Sequence, residues 1–229
     1  MPLVDLQRVE VLRGPQPTLF GKNAIAGAVN VVSRRPTEEF EGSVSASYEF
    51  EHKEKRFTGV LSGPVSETIG ARIVGHYRDM DGYFFNTRQN RTEPNVREAF
   101  VRGILDFKGD GPLSADVKLE YADFKTKGQP REIFSPVGIY SAVFAGPLLV
   151  ETNEDYVRAD GGYLSENKIF NSVLNANLEM GEHMLTSVTG YLDYSVNETI
   201  DVDFIGPDLL DGTRLAEDYR QFSQELRIA

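Results

Sequence analysis

The chain has 229 residues, with 24 Lys and Arg against 35 Asp and Glu, a formal net charge of −11, and no cysteine. The acidic excess argues against a nucleic-acid surface, because affinity for phosphates comes from counterions released by Lys and Arg. Without cysteine there is no disulfide, cysteine nucleophile or thiolate metal site. The mean hydropathy is −0.33, and no apolar run approaches the ~18 residues of a membrane helix. A transmembrane β-barrel remains possible, because its strands are apolar only at alternate positions.

Charge and aromatic content divide the chain near Pro36. Residues 1–36 contain five basic and two acidic side chains, a net charge of +3, which leaves −14 for residues 37–229. Phe20 is the only one of the 24 Phe and Tyr residues in the first part. The sequence therefore predicts two domains, residues 1–36 and residues 37–229.

Residues 37–229 alternate between apolar and polar side chains, the period of two that is typical of β-strands with one apolar face. The alternation is regular in Val44–Phe50, Ile69–Arg78, Ala115–Tyr121 and Phe222–Ile228. It is weaker in Arg56–Gly63, Glu98–Phe107, Ile169–Met180 and Leu185–Val196. The last segment does not reveal which of its faces is apolar. Helical spacing is not sustained anywhere, so the pattern predicts an all-β fold of about eight strands.

The connections between these segments alternate in length. Short connections rich in Gly or Pro are Ser62–Thr68, Lys108–Leu113 and Met180–His183. Long polar connections are Asp79–Arg97, Lys125–Lys168 and Asn197–Arg220. In an up-and-down meander this order places the short turns on one rim and the long loops on the other, which is typical of outer-membrane barrels.

Aromatic residues recur at the strand ends nearest the long loops. Such rings at one level predict an interfacial girdle, in which the ring is apolar and the hydroxyl stays hydrated. The alternative is that aromatic residues are simply common in strands. The candidates are Tyr48, Phe50, Tyr77, Tyr121, Tyr191, Tyr194 and Phe222.

The most specific segment is Val9–Pro36, with the sequence VEVLRGPQPTLFGKNAIAGAVNVVSRRP. It predicts a short strand, a Gly-Pro turn, a stretch of small residues and a second strand. A phosphate-binding loop at Gly21-Lys22 is rejected, because the spacing from Gly14 is wrong and Asn23 stands where Ser or Thr would bind magnesium. The segment closely resembles the second half of the plug domain of TonB-dependent outer-membrane receptors, with Pro17 where that family usually has glycine. The later phrases GYLDYSVNETID and FSQELRIA resemble early barrel strands of the same family.

This resemblance implies a partial antiparallel transmembrane β-barrel of about eight up-and-down strands, preceded by a remnant of the plug domain. In the family, a plug sits inside a 22-stranded barrel in the Gram-negative outer membrane and takes up a scarce ligand, most often a ferric siderophore. The implied partners are outer-membrane lipid, the siderophore and TonB, which grips an N-terminal box that is absent from this chain. No cofactor is implied. Because the first residues are unlike a signal peptide and the chain stops within a predicted strand, we expect an internal fragment.

The resemblance also implies a structural motif where the plug contacts the barrel. Arg13, in the Arg-Gly-Pro turn, is expected to form an ion pair with the barrel wall, and Arg34 and Arg35 are expected near the periplasmic exit. A solvated arginine is the alternative. The motif residues are Arg13, Gly14, Pro15, Gly21, Gly27, Asn30, Arg34 and Arg35.

A candidate ligand-contacting loop is unusually apolar for a solvent-facing connection. Its aromatic residues Phe134, Tyr140 and Phe144 could form a patch for an amphipathic ligand, although a loop folded onto itself or into the barrel mouth is the simpler interpretation. Three scattered histidines predict no metal site. Asp79–Gly82 lacks the later acidic positions of a calcium loop, and no arrangement of residues predicts catalysis.

Two other architectures remain open. A complete eight-stranded outer-membrane barrel, acting as a pore or adhesion protein, would require Ser43–Phe50 to pair with Phe222–Ala229. A soluble periplasmic β-sandwich or ligand-binding barrel would cover the apolar face with protein, so that Val44, Ala46, Ile73 and Leu119 would be buried. An enzyme is the least favoured class.

Overall fold

The described part of a computed structural model of the chain consists of strands and their connections. It covers residues 2–15, 26–129, 157–158, 162–200 and 212–229. Within these residues, no helix is long and apolar enough to cross a membrane. The strands are β1 (Leu6–Arg13), β2 (Gly27–Ser33), β3 (Glu41–Glu49), β4 (Glu54–Pro64), β5 (Ile69–Met80), β6 (Phe84–Asn86), β7 (Arg91–Glu93), β8 (Asn95–Lys108), β9 (Leu113–Lys127), β10 (Val157–Arg158), β11 (Leu164–Met180), β12 (His183–Ile200) and β13 (Thr213–Ile228).

Eight strands form one antiparallel sheet, which we call the wall. Its order is β13-β12-β11-β9-β8-β5-β4-β3, so strands adjacent in the sheet follow one another in the chain. Among the described residues, the interruptions are β6, β7 and β10, which form a small separate sheet. The predicted all-β fold of about eight up-and-down strands is confirmed. The closed eight-stranded barrel is wrong, because in the described part of the chain β3 pairs with β4 and β13 pairs with β12, and the two end strands do not pair with each other.

The wall strands are longer than the sequence pattern predicts, and the predicted long loops are correspondingly shorter. The three long connections span residues 81–94, 128–163 and 201–212. The sequence pattern misses the strand ends nearest the long connections. Charged residues there occupy the face that is apolar nearer the short turns, and this breaks the alternation. The connection between β3 and β4, residues 50–53, lies on the same rim and is short. The predicted difference between the two rims therefore has one exception.

The pairing register defines two faces of the wall, because residues directly opposite each other on antiparallel strands point to the same side. The inner face contains Arg72, which is paired with Ile104. The outer face contains Ile73, which is 56% exposed, and Val44, which is 73% exposed. Leu119 is 46% exposed on the same face, and Ala46 is also exposed. These exposures rule out the soluble β-sandwich, in which protein would cover the same side chains.

Aromatic side chains cross the outer face in a slanting line, which we call the aromatic row. Three directly opposed pairs define it: Phe57 with Tyr77, Phe170 with Tyr121, and Tyr191 with Phe222. Each pair lies one step nearer the short-turn rim than the pair before it. A slant of this kind is expected when strands are tilted against a membrane plane. Outer-face residues beyond the row, toward the long connections, are largely polar or charged, as in Lys55, Asp79, Arg97, Asp123, Lys168, Asp193 and Arg220.

The prediction that Tyr194 belongs to the girdle is wrong. Tyr194 is three residues from Tyr191 and therefore points to the inner face, where its ring stacks on Tyr219 with centroids 5.2 Å apart. The same register resolves the ambiguous strand β12. Its apolar residues Val188, Leu192 and Val196 face inward, whereas Ser187 and Thr189 face outward.

Candidate interface between the N-terminal sheet and the wall

Strands β1 and β2 form a two-stranded antiparallel sheet, the N-terminal sheet, in which two glycines have backbone conformations that other residues avoid. Gly14 has φ +83° and Gly27 has φ +142°. A Cβ atom on Gly27 would lie 2.3 Å from the backbone oxygen of Leu12, so the pairing of the two strands requires glycine there. Gly21, another residue of the predicted motif, lies outside the described residues.

Asn30 of the predicted motif acts within the N-terminal sheet. It lies opposite Glu10, and its Nδ2 donates to the Glu10 carboxylate at 2.8 Å. Arg8 Nε donates to the same carboxylate at 2.6 Å. The hydrogen bond from Arg8, followed by that from Asn30, lowers the pKa of Glu10 from its ordinary value.

Asp5 forms the most buried ion pair between the N-terminal segment and the wall. Its two carboxylate oxygens accept from Arg72 Nη2 at 2.6 Å and Arg72 Nε at 2.8 Å. The Arg72 side chain is 3% exposed and that of Asp5 is 7% exposed. Glu41 of β3 accepts from Arg72 Nη1 at 3.0 Å. A bidentate carboxylate pair of this kind fixes orientation as well as distance.

A second contact links the backbone before β1 to a buried ion pair of the wall. Arg102 Nη1 donates to the backbone oxygen of Val4 at 3.1 Å, and Arg102 Nε donates to Glu120 at 2.7 Å. Lys118 and Asn171 also contact the Glu120 carboxylate, at 3.2 Å and 2.8 Å. The Arg102 and Glu120 side chains are each only 4% exposed. The buried carboxylate is therefore surrounded by donors, as buried charges require.

The third contact lies after β2, at the predicted arginine pair. Arg35 Nη1 is 2.7 Å from the Asp116 carboxylate and 3.9 Å from that of Asp106, both on the inner face. Arg34 instead donates from Nε to the backbone oxygen of Leu6 at 3.2 Å, within the N-terminal sheet. Arg13 has no ion pair with any described residue, so its wall contact stays a prediction.

The sequence-based interpretation missed Asp5, Arg72 and Arg102. A signal was present for the two arginines, because they occupy inward positions of strands whose outward positions are apolar. Their partners could not be identified, since 67 residues separate Asp5 from Arg72 in the chain.

The remaining candidates do not form a site among the described residues. Phe134, Tyr140 and Phe144 lie outside that part of the chain. His76 contacts Thr58, with 2.8 Å between Nδ1 and Oγ1, whereas the His52 ring lies against Tyr83. No three His, Asp or Glu side chains in the described ranges are arranged to hold a metal ion.

The chain is similar in sequence to known outer-membrane proteins. The chain is 31% identical over 87 residues to the iron-regulated outer membrane virulence protein of Vibrio cholerae, covering 35% of this chain and 13% of that protein. It is 24% identical over 238 residues to the ferrienterobactin receptor of Escherichia coli, covering 92% of this chain and 31% of the relative. No protein-family model matches.

The fold matches the crystal structure of the ferric yersiniabactin uptake receptor FyuA from Yersinia pestis. The TM-score is 0.78 at 17% identity, covering 98% of this chain and 33% of that one. The chain thus spans about a third or less of the length of these proteins. Two of these three proteins are named as receptors. The predicted resemblance to TonB-dependent outer-membrane receptors is confirmed, and with it the location in the Gram-negative outer membrane.

Proposed function

We propose that this chain forms part of a TonB-dependent receptor for energy-coupled uptake of a ferric siderophore. Residues 1–36 form part of the plug domain, and residues 37–229 form part of the barrel. The proposed partners are outer-membrane lipid, the siderophore and TonB, and no catalytic step is involved. Relatives named as receptors for ferric siderophores support this assignment.

The observation that carries the proposal is the inverted chemistry of the wall. Its outer face leaves apolar residues such as Ile73 and Leu119 exposed, while its inner face buries charged residues such as Arg72 and Glu120. A soluble protein buries its apolar side chains instead. An apolar outside and a polar, filled inside are the requirements of a plugged outer-membrane barrel.

The contacts of the N-terminal sheet suggest how the plug is held. Asp5, Val4 and Arg35 meet the inner face through Arg72, Arg102 and Asp116, respectively. All three contacts lie where the chain enters β1 or leaves β2. We therefore assign Asp5 and Arg35 as plug–barrel contacts and keep Arg13 as a candidate.

Uptake in cells tests the proposal. A strain lacking the complete gene is supplied with the gene or an empty vector, and accumulation of ⁵⁵Fe is measured from a panel of iron-loaded siderophores. At least one siderophore should deliver iron only when the gene is present, and this uptake should stop when TonB is deleted.

The control is the same strain pair supplied with an iron salt at a high concentration, at which uptake should not depend on the gene. Iron uptake that persists without TonB would contradict energy coupling. A panel that includes catecholate, hydroxamate and phenolate siderophores without any gene-dependent uptake would contradict siderophore transport.

A further inference from the structure

A pair of tyrosine rings lies on the inner face of the wall, at the ends of β12 and β13 nearest the long connections. Tyr194 and Tyr219 are directly opposed, and their rings stack with centroids 5.2 Å apart. Tyr219 is 41% exposed, so the stack presents ring surface to the barrel interior. The faces of aromatic rings carry partial negative charge and attract cations.

Two carboxylates accompany these rings on the same face. Glu217 of β13 accepts a hydrogen bond from the Tyr194 hydroxyl at 2.6 Å, and Glu198 of β12 accepts one from Ser165 Oγ at 2.7 Å. Glu217 lies opposite Val196, which makes the two glutamates diagonal neighbours across the strands. Among the described residues, neither glutamate forms an ion pair. We call Tyr194, Tyr219, Glu198 and Glu217 the mouth patch.

The basic side chains at this end of the wall face the other way. Lys168, Arg214 and Arg220 lie on the outer face. Beyond Glu120 and its register partners, the described inner-face residues of β9, β11, β12 and β13 include the two glutamates of the mouth patch and no Lys or Arg. The pairing register therefore leaves this part of the interior negatively charged.

The basic residues on the other side of the same interior already have partners. Arg56 and Arg78 both contact the Glu54 carboxylate, and Arg78 also lies 3.2 Å from Glu98. Two carboxylates thus match these two guanidinium groups where they stand. The negative charge of the mouth patch is left available for a cation supplied by a ligand.

The mouth patch lies farther from the short turns than the contacts of the N-terminal sheet. Val4 contacts Arg102, which the register aligns with Leu192 of β12. The patch begins two residues beyond Leu192, toward the long connections. Because the long loops of such barrels are extracellular, a ligand entering from outside meets the mouth patch before it meets the N-terminal sheet.

We propose that the mouth patch binds a positively charged substituent, an ammonium or guanidinium group, of the ferric siderophore. The rings contact the cation through their faces and the two glutamates supply the counter-charge, whereas an anionic complex is repelled. This inference rests on the proposed function for the identity of the ligand as a siderophore, and it adds the charge that the receptor selects.

Two forms of one hydroxamate siderophore test the proposal. Ferrioxamine B carries a free ammonium group, and its N-acetyl derivative has the same iron-binding core without that charge. Binding of each form to the complete receptor in detergent is measured by isothermal titration calorimetry. The ring stack and the carboxylate pair each contribute about 3-fold in affinity, so the wild type should prefer the ammonium form by roughly 10-fold.

Glu198→Gln/Glu217→Gln should reduce this preference to about 3-fold or less, while glutamine can still accept the hydrogen bonds of Tyr194 and Ser165. The matched control Glu166→Gln/Asp218→Asn removes two carboxylates from the outer face at the same end of the wall and should leave the preference unchanged. Tyr219→Phe should keep the preference, because the ring remains, and Tyr219→Leu should lower it about 3-fold.

Equal binding of the two forms by the wild type, binding of neither form, or an unchanged preference in Glu198→Gln/Glu217→Gln and Tyr219→Leu would overturn the proposal. The ⁵⁵Fe uptake assay separates this inference from the proposed function. Gene-dependent uptake of an anionic siderophore by a receptor without the charge preference would leave the proposed function standing and refute the mouth patch. A charge preference in a receptor that takes up no siderophore would refute only transport.

Discussion

The two faces of the wall place neighbouring residues in opposite environments. Arg72 is 3% exposed and Ile73 is 56% exposed, although they are adjacent in β5. In a soluble protein the isoleucine would be buried and the arginine exposed. The chain itself provides counter-charges for the buried guanidinium. The isoleucine belongs to a wide exposed apolar face, which is expected if lipid rather than water contacts that face.

The inner face also differs from the outer face in how its polar groups are satisfied. Arg72 and Arg102 are bound by carboxylates of the wall and by groups of the N-terminal segment. Removing one partner of such a pair leaves a buried charge, which costs more than the pair itself contributes. The two faces should therefore respond differently to a change of charge.

The largest effect is expected for Arg72→Ala, which leaves the buried Asp5 carboxylate without its bidentate partner. Breaking a buried ion pair costs about 3–5 kcal/mol. The free energy of unfolding in urea, measured on the complete protein in micelles, should fall by that amount. Lys108→Ala, at a side chain 77% exposed, is the control and should change stability by less than about 0.5 kcal/mol. An Arg72→Ala variant as stable as this control would contradict the interface.

The neighbouring substitution Ile73→Lys tests the outer face. A lysine in the lipid-facing band of a barrel costs about 2–4 kcal/mol near the membrane centre and at most about 1 kcal/mol near the interface. Ser195→Lys, on the same face but beyond the aromatic row, should therefore cost much less. The free energy of unfolding from lipid vesicles is measured for both variants. Equal costs would remove the evidence that the aromatic row marks a membrane boundary.

Sequence alone predicts most strands well in the half nearest the short turns. There the outer face is apolar and the inner face is largely polar, as in Ile69–Arg78. It fails at the ends near the long connections, where both faces are polar and Thr213–Gln221 resembles a loop. It also fails in β12, where Thr189 faces outward and Leu192 inward. Only the pairing register, which depends on neighbouring strands, shows which side chains of such a strand face outward.

The candidate site was predictable only in part. The Arg35 contact follows from a family resemblance confined to a short segment. The pairing of Asp5 with Arg72 depends on how the N-terminal sheet meets the wall, and no local pattern encodes that arrangement. Arg72 could be recognised as an inward charge, but its partner could not.

Within the N-terminal sheet, Gly27→Ala should have a smaller effect than either wall substitution. Its new Cβ would lie 2.3 Å from Leu12 O, and strained backbone positions cost about 1–3 kcal/mol. Gly14→Ala is the matched control, because φ is also positive there but no atom lies within 4 Å of the added Cβ. Hydrogen exchange of the amides in β1 and β2 should accelerate more for Gly27→Ala. Equal acceleration would show that the close approach to Leu12 does not limit the site.

The smallest effect concerns Glu10, whose pKa is lowered in the folded protein by Arg8 first and Asn30 second. A carboxylate with a depressed folded pKa stabilises the fold fully above its unfolded pKa, and this contribution is lost as pH falls through the folded value. The stability difference between wild type and Glu10→Gln should thus be constant near neutral pH and vanish in acid. Arg8→Ala should raise the Glu10 pKa more than Asn30→Ala, as measured by NMR titration of the carboxyl carbon. The opposite order would make Asn30, the residue of the predicted motif, the main partner of Glu10. The Glu10 side chain is 40% exposed, so water screens its ion pair with Arg8 and the stability effect should be the smallest of those predicted.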